Sequence, residues 1–175
     1  MILSDILTVY FSRADENYFP GGLRNITVGN TRKAAEKARA LAGGGLFQIK
    51  RAQPYPASYS GCVAESRKEL AENARPELAS WPEAVGGPGT LILCYPCWCG
   101  TMPMPVFTFL EKYGFSGWTV LPLCTNEGSG MGGSEADIRR LCPGAEVKPG
   151  LSVLGSRADS AEGEIASWLK KYLPE

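Results

Sequence analysis

Thr90-Leu91-Ile92-Leu93-Cys94-Tyr95-Pro96-Cys97-Trp98-Cys99-Gly100-Thr101-Met102-Pro103-Met104-Pro105 decides the architecture, because it passes from buried strand to loop to helix start in one short run. Thr90–Tyr95 is continuously apolar, which suits a strand covered on both faces. Pro96 to Pro103 cannot continue that strand, and Val106, Phe107, Phe109, Leu110 and Tyr113 then recur at helical spacing. Thr101 is the expected N-cap of this helix, with Pro103 in its first turn. Met102 and Met104 are expected to pack beneath the loop.

The same alternation extends in both directions. Upstream, Ile6–Phe11 reads as a buried strand, Thr31–Ala42 as a helix closed by Gly43–Gly45, Leu46–Lys50 as a strand and Tyr59–Asn73 as a helix. Downstream come a strand at Thr119–Cys124 and a helix at Ser134–Leu141, where Ser134 and Asp137 suggest a capping box. A strand at Leu151–Leu154 follows, and a helix at Ala161–Tyr172 carries Trp168 and Tyr172 on its core face. Five strands interleaved with five helices imply an α/β fold with a parallel sheet covered on both faces. No linker or repeat divides residues 1–175, so one domain is expected. Ligands of doubly wound sheets bind beyond the strand carboxyl ends, so the loops after the strands carry the chemistry.

Composition narrows what that chemistry is. The 175 residues are 44% hydrophobic, enough for one full core, and the 18 basic and 18 acidic residues cancel. No single-sign run points to nucleic acid or to a membrane surface. Ile2–Val9 is short and lacks a basic flank, so it is expected to lead into the first strand rather than to be a signal peptide. The chain is therefore expected in the cytoplasm with Cys62, Cys94, Cys97, Cys99, Cys124 and Cys142 reduced. There is no histidine, which removes histidine acid–base catalysis and histidine metal ligation. No protein residue stands out as catalytic, and the reactive group is expected to be borrowed.

Three loops are candidates to hold it. After the first strand, Ser12-Arg13-Ala14 precedes a long polar stretch, Asp15–Val28, and then Gly29-Asn30-Thr31 opens a helix. Helix-start amides, short hydroxyl and amide donors and a glycine suit a phosphate monoester, although Asn30 or Thr31 acting only as caps explains the same residues. The stretch is neither a P-loop nor a G-x-G-x-x-G fingerprint. After Tyr95, the loop Pro96-Cys97-Trp98-Cys99-Gly100 presents a tryptophan that a planar ring would cover, or that folds back on the core. After Cys124, Thr125-Asn126-Glu127-Gly128-Ser129-Gly130 is a loop able to approach a heterocycle edge, or simply a flexible one.

Taken together, the residues resemble the flavodoxin-like superfamily, and more closely a family of small bacterial flavodoxins. The resemblance rests on Tyr10-Phe11-Ser12-Arg13, Gly29-Asn30-Thr31, Tyr55-Pro56-Ala57-Ser58-Tyr59, Tyr95 through Pro105 and Gly128-Ser129-Gly130. It continues into Leu141-Cys142-Pro143-Gly144-Ala145 and Gly155-Ser156-Arg157, and Gly100 to Pro105 is its most specific block. It implies a flavodoxin-like five-stranded parallel sheet of order 2-1-3-4-5 and non-covalent FMN. Ser12, Arg13, Ala14, Asn30 and Thr31 would hold the phosphate. Trp98 would lie on the ring, with Tyr95, Pro96, Cys97, Cys99 and Gly100 around it. Thr125, Asn126, Gly128, Ser129 and Gly130 would edge the ring, and Tyr59 would reach the site.

Three departures from the family bear on function. Asp15–Val28 splits the phosphate loop, with Tyr18 and Phe19 placed to cover the site or meet a partner. Cys97 and Cys99 replace larger apolar residues, and the loop after Cys124 lacks a second aromatic. Electron transfer through FMN to a redox partner protein, by a monomer, is one expectation. The alternative is an NAD(P)H-dependent FMN-containing quinone or flavin reductase acting on a small-molecule acceptor. The open ring face and the scarcity of acidic residues near it point that way, but no nicotinamide-binding motif or substrate clamp is present, and the redox-protein reading is preferred. Cys94-Tyr95-Pro96-Cys97 is formally C-x-x-C, but a strand-interior Cys94 reads as a small hydrophobe rather than a dithiol or metal ligand.

Overall fold

The computed structural model describes residues Asp5–Pro174; Ile2–Ser4 of the apolar lead-in lie outside them. In chain order the elements are β1 (Ile6–Phe11), β2 (Asp15–Phe19), β3 (Gly22–Ile26), α1 (Asn30–Ala42), β4 (Gly45–Ile49), α2 (Tyr59–Ala71), β5 (Thr90–Pro96), α3 (Met104–Tyr113), β6 (Thr119–Asn126), α4 (Ser134–Leu141), β7 (Glu146–Val147), β8 (Leu151–Leu154) and α5 (Glu162–Leu169). A 3₁₀ segment, Gly155–Ser160, joins β8 to α5.

The main sheet runs β4-β1-β5-β6-β7, and β8 pairs with the far end of β6. All its pairings are parallel. This is the expected 2-1-3-4-5 order with the fifth position split between two short strands. β7 faces Thr119 and Val120, whereas β8 faces Leu123 to Asn126. The break falls at Lys148-Pro149-Gly150 beside Pro122 of β6, and neither proline has an N–H to give a ladder. Gly150 donates its N–H to Glu135 Oε1 instead, and Trp168 Nε1 donates to the Pro149 carbonyl.

Alternation along β5 explains the two layers of helices. Leu91, Leu93 and Tyr95 enter a core with Phe107, Phe109, Leu110 and Ile138 from α3 and α4. Ile92 and Cys94 enter the opposite core with Ala34, Ala35 and Ala38 of α1 and Ile165 and Trp168 of α5. The fully buried alanines let α1 lie close to the sheet. Met102 and Met104 are buried as expected.

Two helix starts differ from the sequence reading. Gly133, not Ser134, caps α4 without a side-chain bond, because the Ser134 hydroxyl already donates to the Met131 carbonyl and accepts from the Tyr95 hydroxyl. Pro103, not Thr101, caps α3, because the Thr101 hydroxyl donates to Asp137 at 2.6 Å. The largest difference is Asp15–Val28, expected as a loop, which contains the antiparallel hairpin β2–β3.

Candidate functional site

One cleft of about 410 Å³ opens at the carboxyl ends of β1, β5 and β6. Arg13, Asn30, Pro96, Cys97, Trp98, Cys99, Thr125, Asn126 and Ser129 line it, so all three candidate loops meet there. Ser12, Ala14, Thr31, Tyr95, Gly100, Gly128 and Gly130 do not line it, although each adjoins in sequence a residue that does.

One end is the start of α1. Its cap, Gly29, supplies no side-chain acceptor, and the Ser12 hydroxyl of the preceding strand end accepts the Arg32 N–H at 3.0 Å. That contact depends on Gly29: a β-carbon there would sit 2.1 Å from Ser12 Oγ and 2.6 Å from the Arg13 carbonyl oxygen. The Thr31 hydroxyl turns inward and bonds the Thr125 hydroxyl at 2.6 Å. Arg13 reaches across to the start of α2, donating to the carbonyls of Glu16, Pro56 and Ala57 at 2.5, 2.7 and 2.6 Å. Its Nε is buried without a hydrogen-bond partner. Ala14 contributes a carbonyl that accepts from Asn17 Nδ2.

The middle is an aromatic platform on a tight turn. Trp98 and Thr101 exchange backbone hydrogen bonds at 2.8 and 3.1 Å, and Cys99 and Gly100 between them have φ of +52° and +80°. Positive φ at both central residues identifies a type I′ turn, which favours glycine and leaves Cys99 strained. Phe11 and Tyr55 meet the Trp98 ring edge-on, with centroids 5.1 and 5.0 Å away. Tyr55 is fixed in turn by Arg51, stacked 3.6 Å from its ring, and by a bond from its hydroxyl to Glu69. Trp98 therefore remains half-buried, held at its edges and lining the cleft.

Beyond it, Asn126 organises the third loop. Its Oδ1 accepts from the Gly128 and Gly130 amides at 2.9 and 3.0 Å, and its Nδ2 donates to Ser152 Oγ at 2.7 Å. Glu127 accepts from the Ser156 amide and hydroxyl, closing this loop against the 3₁₀ segment. Cys97 lines the cleft beside Ser129, and the buried Cys124 thiol points to the Thr125 and Gly130 carbonyls at 3.7 and 3.6 Å. Hydrogen bonding from Cys124 first, then from Ser129 and the Gly100 amide, pulls the Cys97 thiol down to about 6 against the opposing effect of burial. Hydrogen bonding to Cys97 and burial push Cys124 far up, so it stays protonated.

The far wall was not legible from motifs. Cys62, Val63, Ser66 and Arg67 of α2 line the cleft, as do Asn17 and Tyr18 of the hairpin, and Gly155. Their α2 positions, with Tyr59, recur at helical spacing, which is the one signal that pointed to them. Tyr18 lies 6.3 Å from Tyr59, centroid to centroid, whereas Phe19 is buried under the Arg24 guanidinium and covers nothing.

A doubly wound sheet of this order, with its cleft built from these three loops, matches known proteins closely. The sequence profile of the flavodoxin family matches residues 25–172. The chain belongs to the flavodoxin family. A solved structure of a protein from Bacteroides eggerthii assigned to the flavoproteins is 29% identical, with a TM-score of 0.76 over 97% of this chain and 98% of that one. A counterpart from Bacteroides uniformis is 24% identical, with a TM-score of 0.75 over 94% of this chain and 97% of that one. A Lactobacillus acidophilus flavoprotein in complex with FMN shares the fold at 17% identity, with a TM-score of 0.60 over 89% of this chain and 96% of that one. No curated protein sequence matches significantly. In this flavodoxin, the cleft is flanked by a hairpin at Asp15–Ile26 that begins before the profile match.

Proposed function

We propose that the cleft holds FMN non-covalently and that residues 1–175 act as one flavodoxin-type redox domain. The observation that carries this reading is a single cleft with a helix start and an arginine at one end and a half-buried tryptophan further along. The residues fit the cofactor. Gly29 lets the Ser12–Arg13 backbone pack against the start of α1, and Arg13 lines the cleft with a buried Nε–H that has no protein partner. Ser12, Arg13, Ala14, Asn30 and Thr31 would form the phosphate end, chiefly through the α1 amides and Arg13. Trp98 would stack on the ring, with Tyr95, Pro96, Cys97, Cys99 and Gly100 forming that wall. Thr125, Asn126, Gly128, Ser129 and Gly130 would form the opposite edge.

Bound FMN supplies one- and two-electron transfer. The chain's own residues orient it, shield one ring face and set the charge around it. Glu127 is the only carboxylate among the described cleft-lining residues, against Arg13 and Arg67. With the Cys97 thiol drawn down to about 6, the lining balances its charges near neutral pH and lacks the acidic surroundings of a dedicated low-potential carrier.

An NAD(P)H-dependent reductase of a quinone or flavin is the second reading, and Arg67 favours it. Arg67 lines the cleft and forms no ion pair among the described residues, so it is available to a nucleotide phosphate. Among the described residues no helix is long and apolar enough to cross a membrane. We further propose a cytoplasmic monomer that meets a redox partner protein or a small-molecule acceptor. The test is an FMN titration followed by anaerobic NADH or NADPH. Bound flavin that bleaches establishes the reductase, bound flavin that responds only to dithionite establishes the carrier, and absence of binding refutes both.

A further inference from the structure

Cys97 and Cys124 are far apart in sequence and belong to no shared motif. They are brought together because β5 and β6 are neighbours: Tyr95 pairs with Cys124, and the Cys97 amide, one residue past β5, donates to the Thr125 carbonyl of β6 at 2.9 Å. Cys94, the other half of the C-x-x-C, faces the opposite core and has no part in the contact. Tyr95 and Cys124 enter the same core, and Cys97 packs against that core while lining the open cleft beside Ser129. Hydrogen bonding from Cys124, Ser129 and the Gly100 amide favours the Cys97 thiolate there. The remaining buried thiols, Cys62, Cys94 and Cys142, are all pushed up by burial.

We propose that Cys97 and Cys124 form a hydroperoxide-sensitive thiol pair in the cleft wall, with Cys97 as the nucleophile and Cys124 as the resolving thiol. The Cys97 thiolate attacks one peroxide oxygen. The S–O bond forms as the O–O bond breaks, sulfur is oxidised to the sulfenic acid, and the departing oxygen leaves with a proton as water or an alcohol. Cys124 then attacks the Cys97 sulfur. The S–S bond forms, the S–O bond breaks, and the hydroxide released takes the Cys124 proton to leave as water. A dithiol reductant returns two electrons and two protons and restores both thiols. The pair's chemistry is independent of cofactor, whereas its place against the flavin rests on the proposed function.

The experiment treats the full-length protein, with and without FMN, with one equivalent of hydrogen peroxide, alkylates the remaining thiols and maps the peptides by mass spectrometry. The expected product joins the Cys97 and Cys124 peptides with the loss of two hydrogens and is reversed by dithiothreitol. Cys124→Ala stops at a sulfenic acid on Cys97 that dimedone traps, and Cys97→Ser leaves Cys124 reduced. Iodoacetamide labelling of Cys97 reaches half its maximal rate at a pH of about 6, and this midpoint rises in Cys124→Ala. An unmodified Cys97 beside an oxidised Cys99, or a Cys97–Cys99 disulfide, overturns the proposal. FMN binding with an inert Cys97 refutes the thiol pair alone. A Cys97–Cys124 disulfide in a protein that binds no FMN refutes the proposed function alone.

Discussion

Gly29→Ala is the substitution that most directly tests the phosphate end. The backbone at Gly29 has φ −64° and ψ 148°, which alanine adopts freely. At such a position Gly→Ala ordinarily stabilises by about 0.4–1 kcal/mol through the unfolded chain. Here the added methyl meets Ser12 Oγ at 2.1 Å, the Arg13 carbonyl oxygen at 2.6 Å and its carbon at 2.9 Å. A hydroxyl can rotate away, but the Arg13 backbone has to move by several tenths of an ångström, and the Ser12–Arg32 cap is lost with it. Overpacking of this kind costs about 1–3 kcal/mol, and a lost cap about 1 kcal/mol. Net destabilisation of about 2 kcal/mol is expected from urea unfolding of the FMN-free protein. Because the displaced backbone carries Arg13, FMN should bind about tenfold more weakly, equivalent to ~1.4 kcal/mol, while riboflavin, which has no phosphate, binds as before. Titrations by flavin fluorescence quenching measure both. Parental FMN affinity in Gly29→Ala would refute the phosphate assignment, and so would an equal loss for FMN and riboflavin.

Trp98→Ala should weaken both FMN and riboflavin by about 1–3 kcal/mol, the range for aromatic–base stacking; isothermal titration that finds either unchanged removes Trp98 from the ring site. Cys99→Gly should stabilise the FMN-free protein by about 0.5–1 kcal/mol, the left-handed cost relieved less the entropy of glycine, as a higher urea midpoint. Glu69→Ala leaves the Arg51 guanidinium with Glu65 alone and frees the Tyr55 hydroxyl, with both Arg51 and Glu69 only 13% exposed. Destabilisation of about 2 kcal/mol is expected in urea unfolding, with weaker flavin binding because Tyr55 supports the Trp98 edge. Removing FMN should lower the unfolding temperature, since cofactor at a hundred times its Kd stabilises by about 2.7 kcal/mol.

The layered sheet was legible because β5 states it residue by residue: Leu91, Leu93 and Tyr95 go one way, Ile92 and Cys94 the other. The loops after β1, β5 and β6 were legible because glycine, proline and tryptophan have few other uses at strand ends. The hairpin was not. Asp15-Glu16-Asn17 has poor strand propensity, and its order comes from tertiary contacts. Arg13 binds the carbonyls before α2, and Glu16 accepts the Tyr59 amide at 2.9 Å at that helix's start. Its local signal was Pro20-Gly21, where Gly21 has φ +89° between the paired Phe19 and Gly22, as a type II turn requires. The helix caps at Thr101 and Ser134 misled for the opposite reason. Both residues have the chemistry of caps, but Asp137 and Tyr95, distant in sequence, bind their hydroxyls first.

Those long-range hydroxyl bonds bear on function. Ser12 to Arg32, Thr31 to Thr125, Tyr95 to Ser134 and Asn126 to Ser152 each fasten a helix start or strand end to a different element around the cleft. A ligand entering such a site finds its donors already fixed, so little ordering entropy opposes binding. The far wall is held differently. The hairpin and the start of α2 meet through Arg13, Glu16 and the tilted Tyr18–Tyr59 pair, and Tyr18 is 52% exposed. On the proposed function, the strand ends would set where the cofactor sits, and the hairpin wall would admit a second reactant or a partner. Tyr18→Ala, which leaves the Arg13 contacts intact, should alter the relative rates of quinone and flavin reduction while leaving FMN affinity in place, the reverse of what Gly29→Ala does.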